Sequence, residues 1–171
     1  MQGLMLGRFE NKLDQKSRTF VPAKFRDIIG GEFIMAFYED IKCIKCMTNE
    51  KFVDLCNESD DSEDLKYLRK GLNEEQLIRN SRNATIDNQG RTTIPAQWLE
   101  SMSVEDTVLI VGMRNYFEIW GAQDYEEYTS KINKETKLAK LTSDSVKKAE
   151  ALKALAQAKA IIEQYGYLLE D

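Results

Sequence analysis

Apolar and polar positions change period several times along the chain, and the changes fall in the same order twice. In the first half, "GRFENKL" reads as a short strand. "PAKFRDII" follows as a short helix that starts on a proline and ends at Gly30-Gly31. Proline suits the first helical turn, where its missing N–H is not needed, and glycine suits the C-terminal cap. "FIMAFY" and "KCIKCM" are rich in β-branched and aromatic residues and are parted by Glu39-Asp40, which predicts a hairpin; "NEKFVDLCN" then predicts a helix. In the second half "NATI", "PAQWLESM", "TVLIVG", "YFEIW" and "AQDYEEYTSKI" repeat the series, with Arg114-Asn115 between the hairpin strands. Each half therefore predicts strand, turn, strand, short helix, strand, turn, strand, helix. Between the halves, Leu65, Leu68, Leu72 and Ile78 are spaced for a connecting helix with a break near Gly71. After residue 142 the chain is rich in Ala, Lys and Glu up to Gly166. Val146, Ala149, Leu152, Leu155, Ile162, Tyr165 and Leu169 form a stripe there, which predicts an amphipathic helix packed on the body or on a neighbouring subunit.

The strongest sign of repetition is a phrase. "DQKSRTFVPAKF" begins at Asp14 and "DNQGRTTIPAQW" at Asp87, 73 residues later, and the two prolines of the chain, Pro22 and Pro95, occupy the same place in both. A half with four short strands does not easily bury both faces of its sheet, whereas two such halves related by a pseudo-twofold axis cover each other's edges. The expectation is a mainly β, α+β chain with one shared barrel core. Its parts are a first half at 1–56, a connecting helical segment at 57–82, a second half at 83–132 and a C-terminal helical extension at 133–171.

Local chemistry gives the phrase a shape. Asp14 or Asp87 opens a turn in which the carboxylate accepts backbone N–H groups two or more residues on. Gly90 fits a position with φ > 0, and Ser17 holds the same place at greater cost. Arg18 or Arg91 leaves the turn four residues after the aspartate, where that carboxylate can fix the direction of the guanidinium fork. A single copy reads better as a stabilising turn with a local ion pair. Two copies in a pseudosymmetric chain suggest a two-pronged cationic grip on a phosphate backbone or groove wall.

Composition limits the alternatives. With no histidine, His-based acid–base and nucleophilic catalysis are excluded, and an enzyme is not expected. Cys43, Cys46 and Cys56 are an odd number and no secretory leader is expected, so reduced thiols are expected. Cys43 and Cys46 lie in a strand with no second pair of ligands, which favours buried thiols over zinc. Trp98, Tyr116, Phe117 and Trp120 read as core or subunit interface rather than as a stacking platform for single-stranded nucleic acid. No cofactor or metal is expected. No apolar run reaches the roughly 18 residues of a membrane helix, and a cytoplasmic protein is the expectation. The formal net charge of −5 is unevenly spread: residues 1–26 carry six basic and two acidic residues, while "NESDDSED" at 57–64 carries five acids and no base.

With "LDQKSRTFVPAKFR", "IDNQGRTTIPAQW" and the closing "VLIVGMRNYFEIW" followed by "YEEY", the chain closely resembles the MraZ family of tandem AbrB/SpoVT-type halves over residues 1 to about 132. The resemblance implies a double-split, AbrB-like β-barrel with added helices. It implies a bacterial, nucleoid-associated regulator that binds double-stranded DNA, controls division and cell-wall genes, and forms ring-shaped homo-oligomers on repeated promoter boxes. By position it assigns DNA contact to Arg18 and Arg91, with Lys16 in the first turn and Gln89 in its place in the second. Asp14 and Asp87 then shape the loops, as does Gly90. Three departures stand out: Ser17 replaces the usual glycine, the second turn lacks the lysine, and the segment after about residue 142 extends beyond the family. The missing lysine suggests that the first turn carries more of the affinity. The competing expectations are a ring-forming protein-interaction scaffold without specific DNA binding and an antitoxin-like member of the same barrel class.

Overall fold

The computed structural model describes residues 3–57, 65, 68–69 and 72–165. The chain divides into two compact units, residues 1–126 and 127–171. The first unit contains the strands β1 (Arg8–Lys12), β2 (Arg18–Phe20), β3 (Glu32–Tyr38), β4 (Cys43–Met47), β5 (Ser81–Thr85), β6 (Arg91–Thr93), β7 (Thr107–Gly112) and β8 (Phe117–Trp120). Its helices are α1 (Ala23–Ile29), α2 (Asn49–Cys56), α3 (Glu74–Arg79) and α4 (Ala96–Ser101). A further helix, α5 (Ala122–Tyr165), begins in this unit and supplies the described part of the second.

The architecture is α+β with antiparallel sheets. Six strands join in the order β1-β7-β8-β4-β3-β5, and β2 pairs with β6 in a separate ladder. The expected hairpins form, with Ile34 opposite Met47 in the first half and Leu109 opposite Trp120 in the second. The first strand of each half, however, pairs with the other half: β1 with β7, and β5 with β3. Exchanging the halves maps the strand order onto itself read backwards. Among the described residues no ladder joins the edge strands β1 and β5, so the hydrogen bonding does not close into a barrel. The cause lies in the repeated phrase. After each Asp-x-x-x-Arg turn the chain leaves the large sheet for the small one, and proline, which cannot donate to a ladder, ends that strand after three residues.

The register locates the pseudo-twofold axis. In the small ladder Thr19 faces Thr92, and in the large one Lys45 faces Glu118; both pairs are related by the 73-residue offset of the repeat. Both pairs are buried. Like faces like at the first, and opposite charges meet at the second, where Lys45 Nζ lies 3.2 Å from Glu118 Oε1.

Alternation along β3 sorts its side chains onto the two faces of the sheet. Phe33, Met35 and Phe37 join a core with Phe25, Ile44, Ile110, Phe117 and Ile119. Ile34, Ala36 and Tyr38 join a second core with Met47, Leu55, Leu68, Leu77 and Tyr116. The connecting segment thus covers the second face through Leu65 and Leu68, both buried as the helical spacing expects, while Gly71 lies outside the described residues. Ile78 departs from that spacing, being exposed while Leu77 is buried. The helical phase restarts at Asn73, whose side chain accepts the N–H of Gln76 and whose own N–H donates to the Gln76 side chain, so α3 does not continue the upstream period. Cys43 and Cys46 are fully buried, as are Phe117 and Trp120.

Helix α5 unites two segments that the sequence presented separately into one helix of 44 residues. From residue 133 to residue 161 its side chains are exposed, including Leu138, Leu141, Val146, Leu152 and Leu155. The expected stripe is helical, but Val146, Ala149, Leu152 and Leu155 gain no burial in the single chain. The side chains of Ile162 and Tyr165, and Leu169 altogether, lie outside what is described.

Candidate nucleic-acid interface

Each copy of the phrase folds into the same turn. Asp14 donates its N–H to the Arg18 carbonyl (2.9 Å) and accepts the Ser17 N–H at its own carbonyl (3.0 Å). Its Oδ1 accepts the N–H groups of Lys16 (2.9 Å) and Arg18 (3.0 Å), and its Oδ2 accepts Arg18 Nε at 2.7 Å. Asp87 repeats the pattern with Gln89 (3.0 Å), the Arg91 N–H (2.9 Å), and Arg91 Nε (3.0 Å) and Nη2 (2.9 Å). The apex needs a left-handed residue. Gly90 has φ 82° and Ser17 φ 57°; only the first is free of a side-chain penalty there.

The sequence suggested that the two turns form a two-pronged cationic grip. In the structure β1 and β2 lie in different ladders, so neither turn caps a hairpin, and the two turns are locked to each other. Val21 donates its N–H to the Gly90 carbonyl and Ile94 to the Ser17 carbonyl, both at 2.9 Å. The arginines follow. Arg91 Nη1 lies 3.6 Å from Asp14 Oδ2, and Arg18 Nη1 lies 4.0 Å from Asp87 Oδ2, each across the axis. Two carboxylates and two guanidinium groups thus alternate in one cluster of zero net charge. The side chains of Arg18 and Arg91 keep 28 % and 19 % of their surface in contact with solvent.

The cluster holds both acids ionised. The Arg18 side chain donating to Asp14, helped by the backbone N–H groups of Arg18 and Lys16, brings its carboxyl down to about 2. Asp87 is lowered chiefly by the Arg91 backbone N–H and then by its side chain. At neutral pH each arginine is aimed by a permanent anion, through the edge that carries Nε and Nη2. The other edge, carrying Nη1, points toward the opposite turn.

Around this cluster, Lys16 and Gln89 are exposed at equivalent positions on the two turns, and Lys12 and Lys24 are also exposed. Phe20 is 55 % exposed and stands opposite Arg91 in the small ladder, as Thr93 stands opposite Arg18. The 73-residue offset pairs Phe20 with Thr93, and that substitution is the sign in the sequence that sets Phe20 apart. The contact of Arg26 with Gly90 had no sequence signal, because it crosses from one half to the other.

Known proteins bear on this arrangement. A family model described as "MraZ protein, putative antitoxin-like" matches residues 77–147. Transcriptional regulator MraZ of Lactiplantibacillus plantarum is 33 % identical over 129 residues, covering 73 % of this chain and 87 % of that protein. The chain belongs to the MraZ family. Transcriptional regulator MraZ of Leuconostoc mesenteroides is 30 % identical over 132 residues, 74 % of this chain and 87 % of that protein. The Mycoplasma mobile MraZ is 27 % identical over 148 residues, 86 % of this chain and the whole of that protein. The match to the MraZ family model ends at residue 147, so it takes in only the first part of α5.

Proposed function

We propose that this MraZ-family chain is a sequence-specific regulator of transcription that grips double-stranded DNA with the paired turns 14–18 and 87–91. The observation that carries the reading is the joining of both Asp-x-x-x-Arg turns, by the small ladder, into one surface with its arginines pre-oriented. Arg18 and Arg91 make the principal contacts. Lys16 adds a phosphate contact on the first turn and Gln89 a hydrogen-bonding group on the second. Asp14, Asp87 and Gly90 shape the loops. The relatives' name, transcriptional regulator, supports the same function.

Residues 1–56 and 83–132 act as AbrB/SpoVT-type halves of one double-split barrel-like body, joined by 57–82 and extended by 133–171. Several such chains assemble as a ring, so that repeated turns meet repeated promoter boxes of a division and cell-wall gene cluster in the cytoplasm and on the nucleoid. Linkage in a ring raises the effective concentration of each weak module, provided that box spacing matches. The net charge of −5 does not oppose this if its acids lie away from the turns.

A direct test is fluorescence anisotropy with DNA from upstream of the protein's own coding region and with a scrambled duplex. Preference for the native fragment, a log–log salt slope of roughly −0.9 per neutralised phosphate, and loss of affinity in both Arg18→Ala and Arg91→Ala are expected. Unchanged affinity in both variants would remove the turns from the interface. A second reading, a ring-forming scaffold for a protein partner, draws on the exposed leucines of α5. Under it, deletion of 143–171 abolishes partner binding and specific DNA binding is absent from the outset.

A further inference from the structure

The two turns are not chemically equal, and the difference sits on α1. A Cβ placed on Gly90 would lie 2.5 Å from Arg26 Nη1 and 2.7 Å from Arg26 Cζ, so the guanidinium of a first-half helix rests directly on the apex of the second-half turn. Arg26 Nε is buried and, among the described residues, has no hydrogen-bond partner. The carboxylates of the cluster are engaged with Arg18 and Arg91. Among the described residues this half-buried guanidinium has no ion-pair partner, so its charge is available to an anion at the turn. On the opposite side, the 73-residue offset places buried Leu99 where Arg26 would be and Ser17 where Gly90 would be.

We propose that Arg26 supplies the cation of the second turn and binds a DNA phosphate there, in the role that Lys16 has on the first. This rests on the DNA-binding reading above. It removes the ground for expecting the first turn to dominate affinity: the first takes its cation from its own loop, and the second borrows one from the other half. Only glycine at position 90 lets the guanidinium approach, so the missing lysine and the retained glycine belong to one solution. The two turns then present different cation geometry, a flexible ammonium on one and a planar fork on the other.

The test uses the full chain, the same two duplexes and a series of salt concentrations, comparing wild type with Arg26→Leu, Arg26→Gln, Arg26→Lys and Arg18→Ala. Arg26→Leu copies Leu99, and Arg26→Gln keeps polar bulk without charge. In either neutral variant that melts like wild type, affinity should fall in parallel on both duplexes, and the salt slope should become shallower by about 0.9 for each phosphate that is no longer neutralised. Arg26→Lys should keep most of the slope. If wild type binds, Arg18→Ala weakens it and the folded neutral variants keep the wild-type slope, the proposal is overturned while the DNA reading stands. If wild type itself shows neither preference nor salt dependence, both fail together.

Discussion

Lys45 and Glu118 face each other across the axis in the middle of the large sheet, and cutting that pair is the most informative perturbation of the fold. Lys45 is fully buried and Glu118 is 4 % exposed. The carboxylate is held twice, by Lys45 Nζ at 3.2 Å and by the indole N–H of Trp120, which donates at 2.8 Å. The ammonium lies 4.9 Å from the Tyr38 ring centroid and 5.4 Å from that of Tyr116. Lys45→Met leaves a buried carboxylate with one neutral donor, and removing one member of a buried pair costs about 3–5 kcal/mol. Glu118→Gln keeps an acceptor for Trp120 and leaves the ammonium on two ring faces, each worth about 0.5–2 kcal/mol, so its cost should be smaller, about 2–3 kcal/mol. The double variant Lys45→Met/Glu118→Gln buries no charge and should recover to within about 2 kcal/mol of wild type. Guanidinium unfolding followed by tryptophan fluorescence, at one protein concentration because assembly shifts apparent stability, measures all four corners of the cycle. Single variants that each cost under about 1 kcal/mol, or costs that simply add in the double variant, would refute the view that the two charges depend on each other.

The remaining predictions concern the turns. Asp14 has a folded pKa of about 2 against 3.8 when unperturbed; because it is depressed, its contribution to stability is present above the unfolded value and is lost as pH falls from about 4 through about 2. An acid-unfolding series should therefore show a step in wild type that Asp14→Asn lacks, and identical acid profiles would mean that the carboxylate is not held by Arg18. Ser17 sits at φ 57°, so Ser17→Gly should raise stability by up to about 1 kcal/mol, and a lowered melting temperature would contradict the strain assigned to it. Gly90→Ala should lower stability by about 1–2 kcal/mol from strain at φ 82°, while its new methyl displaces Arg26 and flattens the salt slope of DNA binding as Arg26→Leu does.

The local elements of this chain were legible because local rules produce them. Proline at positions 22 and 95 opened α1 and α4, polar pairs parted the hairpin strands, and a carboxylate four residues before an arginine closed each turn. What could not be read was partnership. Which strand pairs with β1 depends on the register of a sheet whose central strands are buried on both faces, and such strands carry no in–out alternation to separate one neighbour from another. The strand-turn-strand expected around each Asp-x-x-x-Arg turn forms, but its two strands satisfy the local pattern equally well in different ladders. Ile78 was misplaced because a capping box reset the helical phase, and the α5 stripe because periodicity records an apolar face without recording what covers it.

The axis explains why two similar halves are joined in one chain. Two separate copies of one half, paired as β4 and β8 are, would set each axial residue against itself. Thr19 and Thr92 tolerate that arrangement, as neutral hydroxyls in a short ladder. Two lysines at the position of Lys45 would be like charges directly opposite in a dry interior, and two glutamates would be no better. Once the halves are covalently joined, the same position can hold lysine in one and glutamate in the other, and the pair then also specifies that a first half meets a second half. The turns depart from symmetry in the same way, with Ser17 and Leu99 on one side set against Gly90 and Arg26 on the other. Fusion thus lets the body and the candidate interface use unlike residues at related positions, and an interface of that kind can give its DNA a direction.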